Sequence, residues 1–377
     1  MLFIYIGTVV DSTTVITKNI DYLDKLVYSK SGHILINVKI NGSEKEYPFI
    51  LDNGSTTAIF DNLLDEFNLS KILYLPSRDA NKTFIFKPVY KVNTMKIDGG
   101  ITISDISVKS FDSDVFKCNK NVYGVIGHDI MKYFIWQFDF TNNTYYITSD
   151  TNTISSRINQ ITLPLNKFSD SRDYTEIFIN NKKHKFLIDL GSTSSIRFQI
   201  NTDSINVLFK NKNKKIIGVG GSGFNGKIKK QNNYIVLFDS IKINNDKFHK
   251  VKGSLSNKTG NMIGLEFLKN FKITFNYSKN KLTLESNDTV NFIPKRFGFK
   301  LDMIDNKLKI ITIVENTLPY NSGLKVGDEI VKINEIRINE KFDLCNFDIS
   351  KYDTLNLSIK RAEEIKEYKI IKDYYFK

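Results

Sequence analysis

Two short stretches hold the residue types that could do chemistry. "ILDNGSTTAIF" (50–60) and "LIDLGSTSSIRF" (187–198) each run from apolar residues into an aspartate, one further residue, a glycine and a serine. A carboxylate at the end of a buried strand, followed by a turn that glycine permits, presents its oxygens to whatever faces that turn. If the two turns face each other, Asp52 and Asp189 meet. Like charges a few ångströms apart do not both ionise readily, so such a pair shares one proton and titrates as a unit. The ionised partner can then take a proton from a water while the protonated partner hydrogen-bonds a carbonyl, which is hydrolysis without a covalent intermediate. One D-x-G-S alone is an ordinary turn; two with matched surroundings point to one site.

The surroundings do match. Asp52 and Asp189 are 137 residues apart, and "VIGHDIMKYFIWQFDFTNNTYYI" (125–147) aligns with "MIGLEFLKNFKITFNYSKNKLTL" (262–284) at the same offset. Gly127 falls on Gly264, Lys132 on Lys269, Phe134 on Phe271 and Asp139 on Asn276, so each aspartate precedes its later glycine by 75 residues. Two independent matches at one offset indicate duplication. Each copy starts with alternating strands around a turn at Asn41-Gly42 or Asn180-Asn181, and closes with a hairpin around "TNNT" or "SKNK". The fold class expected is mainly β. Residues 1–27 form an N-terminal segment, 28–149 the first copy and 150–289 the second; 290–377 form a small β-rich module with one short helix near "NSGL".

Composition sets outer bounds. An apolar content of 41% with 12% aromatics suits packed cores, and the frequent Phe, Tyr, Ile, Val and Thr favour strands. Of the formal charge of +13, residues 150–289 supply nearly all, with 23 Lys or Arg against 11 Asp or Glu. No nucleic-acid module accompanies these lysines, which alternate with Asn and apolar residues as solvated strand faces do, so nucleic acid is not expected as a partner. The start, "MLFIYIGTVV", is too short to span a bilayer and lacks the flanks of a signal peptide; it reads as a strand or a clipped signal remnant. No later segment is long and apolar enough to be a transmembrane helix. Cys118 and Cys345, far apart and in different segments, are expected to be small buried side chains rather than a disulfide framework or metal site.

These residues resemble the aspartic peptidases, in which each lobe carries Asp-Thr/Ser-Gly-Ser/Thr/Ala and a later apolar-apolar-Gly. The matching residues are Asp52-Asn53-Gly54-Ser55 with Val125-Ile126-Gly127, and Asp189-Leu190-Gly191-Ser192 with Met262-Ile263-Gly264. The third segment resembles a PDZ domain, with Phe297-Gly298-Phe299 at the peptide-carboxylate loop and "SGLKVGDEIVKIN" after it. The order is similar to that of bacterial PDZ-containing aspartyl proteases and covers about residues 28–377. The resemblance implies two retropepsin-like β-barrel lobes, a catalytic Asp52/Asp189 dyad, an extended polypeptide substrate, a monomer without metal or cofactor, and an extracytoplasmic location. It also implies that Ser55 and Ser192 hydrogen-bond the outer carboxylate oxygens. Two positions depart from it: the family's usual Thr, whose hydroxyl bonds across the lobes, is replaced by Asn53, which can still do so, and by Leu190, which cannot.

"GVGGSGFNGK" (218–227) lacks the Ser or Thr that a phosphate loop needs after its lysine, since Ile228 stands there. The resemblance instead places a glycine-rich hairpin here, with Gly220, Gly221, Ser222 and Gly223 covering the peptide. The four histidines show no ligand spacing, so no metal is expected. Asp129 and its counterpart Glu266 read as structural acids near a helix start, and Trp136 as core. In the PDZ-like segment the amides of Phe297, Gly298 and Phe299 would receive a peptide C-terminus, although Glu335 stands where the usual motif has Gly. The rival reading is a pseudo-peptidase that binds peptides with impaired catalysis. A third is an envelope protein whose basic second copy adheres to anionic surfaces.

Overall fold

Strict alternation makes strands of most of this chain: Ile34–Ile40 buries every second side chain. Hairpins form where Asn tolerates a left-handed backbone. Asn180 and Asn181, at φ of 49° and 61°, join Asp173–Ile179 to Lys182–Asp189 as a two-residue turn. The computed structural model describes residues 13–78, 84–113, 118, 121–154, 160–167, 172–201, 204–218, 233–257, 259–286 and 292–376. Among these the protein is mainly β, and its helices are single turns.

The duplication is visible as pseudo-symmetry. Ile135–Asp139 pairs antiparallel with Phe271–Asn276, placing Gln137 opposite Thr274. The Gln137 amide donates to the Thr274 hydroxyl at 2.9 Å. Residue 274 is the counterpart of residue 137 at the repeat offset, so the pseudo-twofold axis passes through this pair. Three strands from each side complete a six-stranded sheet: Gln160–Pro164, Lys281–Ser286 and Phe271–Asn276, then Ile135–Asp139, Thr144–Thr148 and Asp21–Lys25. Trp136, Phe138 and Phe275 are fully buried on this platform, and one apolar core runs from Ile20 to Leu284 through both copies.

The C-terminal unit has a separate core between Phe297 and Ile370. It is joined to each copy differently. Asn213–Gly218 of the second copy pairs with Lys307–Val314, with Ile216, Ile217 and Gly218 opposite Val314, Ile313 and Thr312. Ile217 also packs against the C-terminal core. To the first copy the join is covalent, and it corrects the expectation for the cysteines. Cys118 and Cys345 form a disulfide with Cα atoms 4.8 Å apart, because the C-terminal unit folds back until its 341–348 segment lies against the first copy. Beside it, Lys30 donates to the Asn346 side chain. No helix among the described residues is long and apolar enough to cross a membrane.

The disulfide closes a sequence separation of 227 residues. In the chain-entropy account a loop of that size contributes on the order of 5 kcal/mol, reduced by whatever already holds the units together. Cys118→Ser, or the wild-type chain under reductant, is therefore expected to melt lower in scanning calorimetry. An unchanged melting temperature would show that the strand pairing alone fixes the C-terminal unit.

Candidate active site

The spacing of 75 residues between aspartate and glycine has a direct structural meaning. Tyr47–Asp52 runs parallel to Gly124–Gly127 with Asp52 opposite Gly127, and Lys182–Asp189 runs parallel to Met262–Gly264 with Asp189 opposite Gly264. Each aspartate thus ends a strand buried between neighbours, and the chain must turn there. The turn is tied down from the same copy: His128 N–H donates to the Ser55 carbonyl at 2.9 Å and Leu265 N–H to the Ser192 carbonyl at 2.7 Å.

The two turns face each other. A Cβ placed on Gly54 would lie 2.7 Å from the Asp189 carboxyl carbon, and one on Gly191 would overlap the Asp52 carboxyl carbon more severely. Glycine is required here because the opposite carboxylate occupies the space of a side chain. Asp52 is 5% and Asp189 8% exposed. Burial first, then the charge of Asp189 and the hydrogen bond between the two carboxyls, push Asp52 well above the usual carboxylate range. Burial raises Asp189 too, while its hydrogen bond with Asp52, the Arg197 charge and the Gly191 and Ser192 amides oppose the rise. The pair therefore retains a shared proton at pH values where exposed aspartates are ionised.

Asn53 answers the question its position raised. Its Oδ1 accepts the Leu190 N–H at 2.9 Å, and its Nδ2 donates to the Ile188 carbonyl at 3.0 Å. One amide therefore grips the opposite backbone on both sides of Asp189. Leu190 returns nothing from its side chain, which is fully buried in the apolar core. The serines do not act as expected. Ser55 Oγ donates to the Thr56 carbonyl at 3.1 Å, and Ser192 Oγ bonds Ser194 Oγ at 2.7 Å, so neither hydroxyl is turned to a carboxylate. The carboxylates use backbone amides instead, with Gly54 N–H donating to Asp52 Oδ1 at 2.8 Å.

Two nearby arginines carried no sequence signal. Arg197 and Arg172 place positive charge near Asp189 and Asp52 respectively. The His33 imidazole lies against the Gly191 backbone, and burial holds it down at about 4. Asp129 accepts from both the amide and hydroxyl of Thr57, at 2.7 and 2.9 Å, and so braces the first turn. Its counterpart Glu266 is redirected to Lys252 and Arg296, both at 2.9 Å.

Gly220, Gly221, Ser222 and Gly223 lie outside the described residues, as do residues 1–12. The equivalent hairpin of the first copy, Lys71–Arg78 with Phe84–Ile97, was not singled out by sequence; Tyr74 and Phe86 stand exposed on it. In the C-terminal unit Phe297 and Phe299 are buried and Gly298 has a φ of 82°. The Tyr375 hydroxyl lies against the Gly298 backbone amide, in the place expected for a peptide carboxylate. No protein-family model matches the chain, and no curated protein matches it at a significant level.

Because both aspartates bind protons more tightly folded than unfolded, stability falls as pH rises from the ordinary aspartate range through the raised values. Asp52→Asn removes that penalty. Its melting temperature is expected to exceed that of the wild type by a few degrees at neutral pH, with the gap closing toward about pH 3, where both unfolded and folded carboxyls are protonated. A gap that does not vary with pH would rule out a shared buried proton.

Proposed function

We propose that this chain is an aspartic-type endopeptidase that hydrolyses extended polypeptides, with Asp52 and Asp189 activating a water between two pseudo-symmetric lobes. The observation that carries this reading is the contact itself: two buried carboxyls, each packed against the other copy's glycine. With one proton on the pair, the ionised oxygen takes a proton from water as the water oxygen adds to the scissile carbonyl carbon, while the protonated one gives its proton to the carbonyl oxygen. The products of that first transfer are a tetrahedral gem-diol and a dyad that still holds one proton to give to the leaving amine. The chemistry asks for no metal or cofactor. Asn53 supports catalysis rather than mere binding, because its amide holds the backbone on either side of Asp189 and so supplies preorganisation from one side.

Lys71–Arg78 with Phe84–Ile97, and the glycine-rich stretch 218–227 that the resemblance implies to be a hairpin, would cover the substrate and pair with its backbone. Residues 290–377 would form a PDZ-like module. Its strand pairing with Asn213–Gly218, which leads into the glycine-rich hairpin, favours regulation of access, and Tyr375 against Gly298 stands where a peptide C-terminus would enter. The disulfide supports an oxidising, extracytoplasmic compartment. Leu190 is the observation behind the second reading, a peptide-binding protein that does not cut.

Incubation with a mixed peptide library across about pH 4 to 7, where a coupled carboxylate pair titrates, separates the two. Cleavage is expected, with kcat/KM falling on the alkaline side as the shared proton is lost and on the acid side as the second carboxyl is protonated. Asp52→Asn and Asp189→Asn should each reduce it by roughly 10²–10⁴-fold. Peptide binding without cleavage, unchanged by either substitution, would sink the enzyme reading.

A further inference from the structure

Beneath the turns lies a buried polar cluster that the proposed reaction does not use. Asp173, fully buried, accepts from Asn53 Nδ2 at 3.1 Å and from the Tyr277 hydroxyl at 3.0 Å. His128 Nδ1 is 3.4 Å from the same carboxylate oxygen, and its ring packs edge-on to Tyr277 with centroids 5.5 Å apart. Asn53 and His128 come from the first copy, Asp173 and Tyr277 from the second, so the cluster crosses between them.

The duplication gives this cluster an internal control. By the 137-residue offset the counterparts of Asn53, His128 and Tyr277 are Leu190, Leu265 and Phe140, and by strand register, with Tyr174 opposite Leu187 as Leu35 is opposite Ile50, the counterpart of Asp173 is Ile34. Leu190, Ile34 and Leu265 are buried in the apolar core, and Phe140 packs against it. The same architectural position is thus wholly polar on one side of the axis and wholly apolar on the other. Four polar residues at one position, facing four apolar ones at its mate, form a set rather than scattered substitutions. A fully buried carboxylate is costly unless it is paired and hydrogen-bonded, and it contributes something an apolar side chain cannot.

That contribution is orientation. A primary amide has two faces of similar shape, so Asn53 could place either its oxygen or its NH₂ toward Leu190 N–H. Only one orientation works, with the oxygen on Leu190 N–H and the NH₂ on the Ile188 carbonyl. A threonine hydroxyl rotates to suit its partners, whereas an asparagine must hold one face, and the Leu190 N–H and Ile188 carbonyl already favour this one. Asp173 Oδ2 accepts from Asn53 Nδ2 and from the Tyr277 hydroxyl, so it adds an acceptor on the NH₂ side that reinforces this orientation, and the Tyr277 bond holds it in place.

We infer that Asp173 is a positioning residue for the dyad, fixing the Asn53 amide so that it clamps the backbone on both sides of Asp189, with the Leu190 side of the axis left to apolar packing. This rests on the peptidase reading for its effect on turnover, but not for its effect on structure. On turnover, Asp173→Leu is expected to lower kcat at least tenfold with KM changed less than threefold. Asp173→Asn, whose Oδ1 can still accept from Asn53 and Tyr277, should retain kcat within about threefold. Wild-type kcat in Asp173→Leu, or equal loss in both variants, overturns the inference. Should Asp173→Leu fail to fold, the triple variant Asp173→Ile, His128→Leu, Tyr277→Phe installs three of the four apolar residues its mate position already accommodates while keeping Asn53, and the same loss of kcat is expected. If the wild-type chain cleaves nothing, the function falls while a denaturation cycle over Asn53→Ala and Asp173→Leu still decides the positioning role. Non-additive destabilisation, the double variant being no less stable than the worse single one, supports it; additive destabilisation overturns it.

Discussion

Each carboxylate rests where the other copy's glycine has no side chain, and the rest of the molecule serves that contact. Two aspartates in a buried space repel once both are charged, so their approach must be enforced from outside the pair. The enforcement begins one strand away, where Gly127 and Gly264 run parallel to the aspartate strands, and extends to the six-stranded sheet whose central pair straddles the pseudo-twofold axis. A fully buried aromatic platform under that sheet makes the spacing between the copies stiff, because dense packing leaves no soft direction along which the turns could part.

Much of this was legible in the sequence because close approach leaves a glycine, and a glycine at a fixed distance from an aspartate, found twice at one offset, leaves little room for coincidence. The mainly β character, the Asn-rich turns, the short helix near "NSGL" and buried Trp136 followed from local patterns that tertiary structure had no reason to override. What escaped was set by contacts between distant segments. Cys118 and Cys345 pair because a separate unit folds back onto the first copy, and no spacing rule anticipates that. The serines were misassigned since D-x-G-S fixes the turn but not the rotamers of its hydroxyls. His128 falls on Leu265 at the sequence offset without a motif to mark it, and only the strand register shows that Asp173 replaces Ile34.

Duplication supplied two identical turns, and divergence then gave the halves different duties. The first copy supplies Asn53, which reaches across; the second supplies the backbone that is gripped and the carboxylate that orients the grip. The helix-start acids parted in the same way, Asp129 remaining inside its copy on Thr57 while Glu266 turned outward to Arg296. Most of the chain's excess positive charge also sits in the second copy, which supplies Arg172 and Arg197 near the carboxylates. The symmetry of the scaffold and the asymmetry of its chemistry are therefore compatible: strands hold the positions, and single side chains assign the roles.

The link between Cys118 and Cys345 makes a closed ring of the polypeptide, and the whole second copy lies within that ring. A backbone cut anywhere between the two cysteines opens the ring without releasing a fragment. A nick at the exposed Asn180-Asn181 turn, for example, would leave one covalent molecule, with the two carboxylates still carried on connected halves.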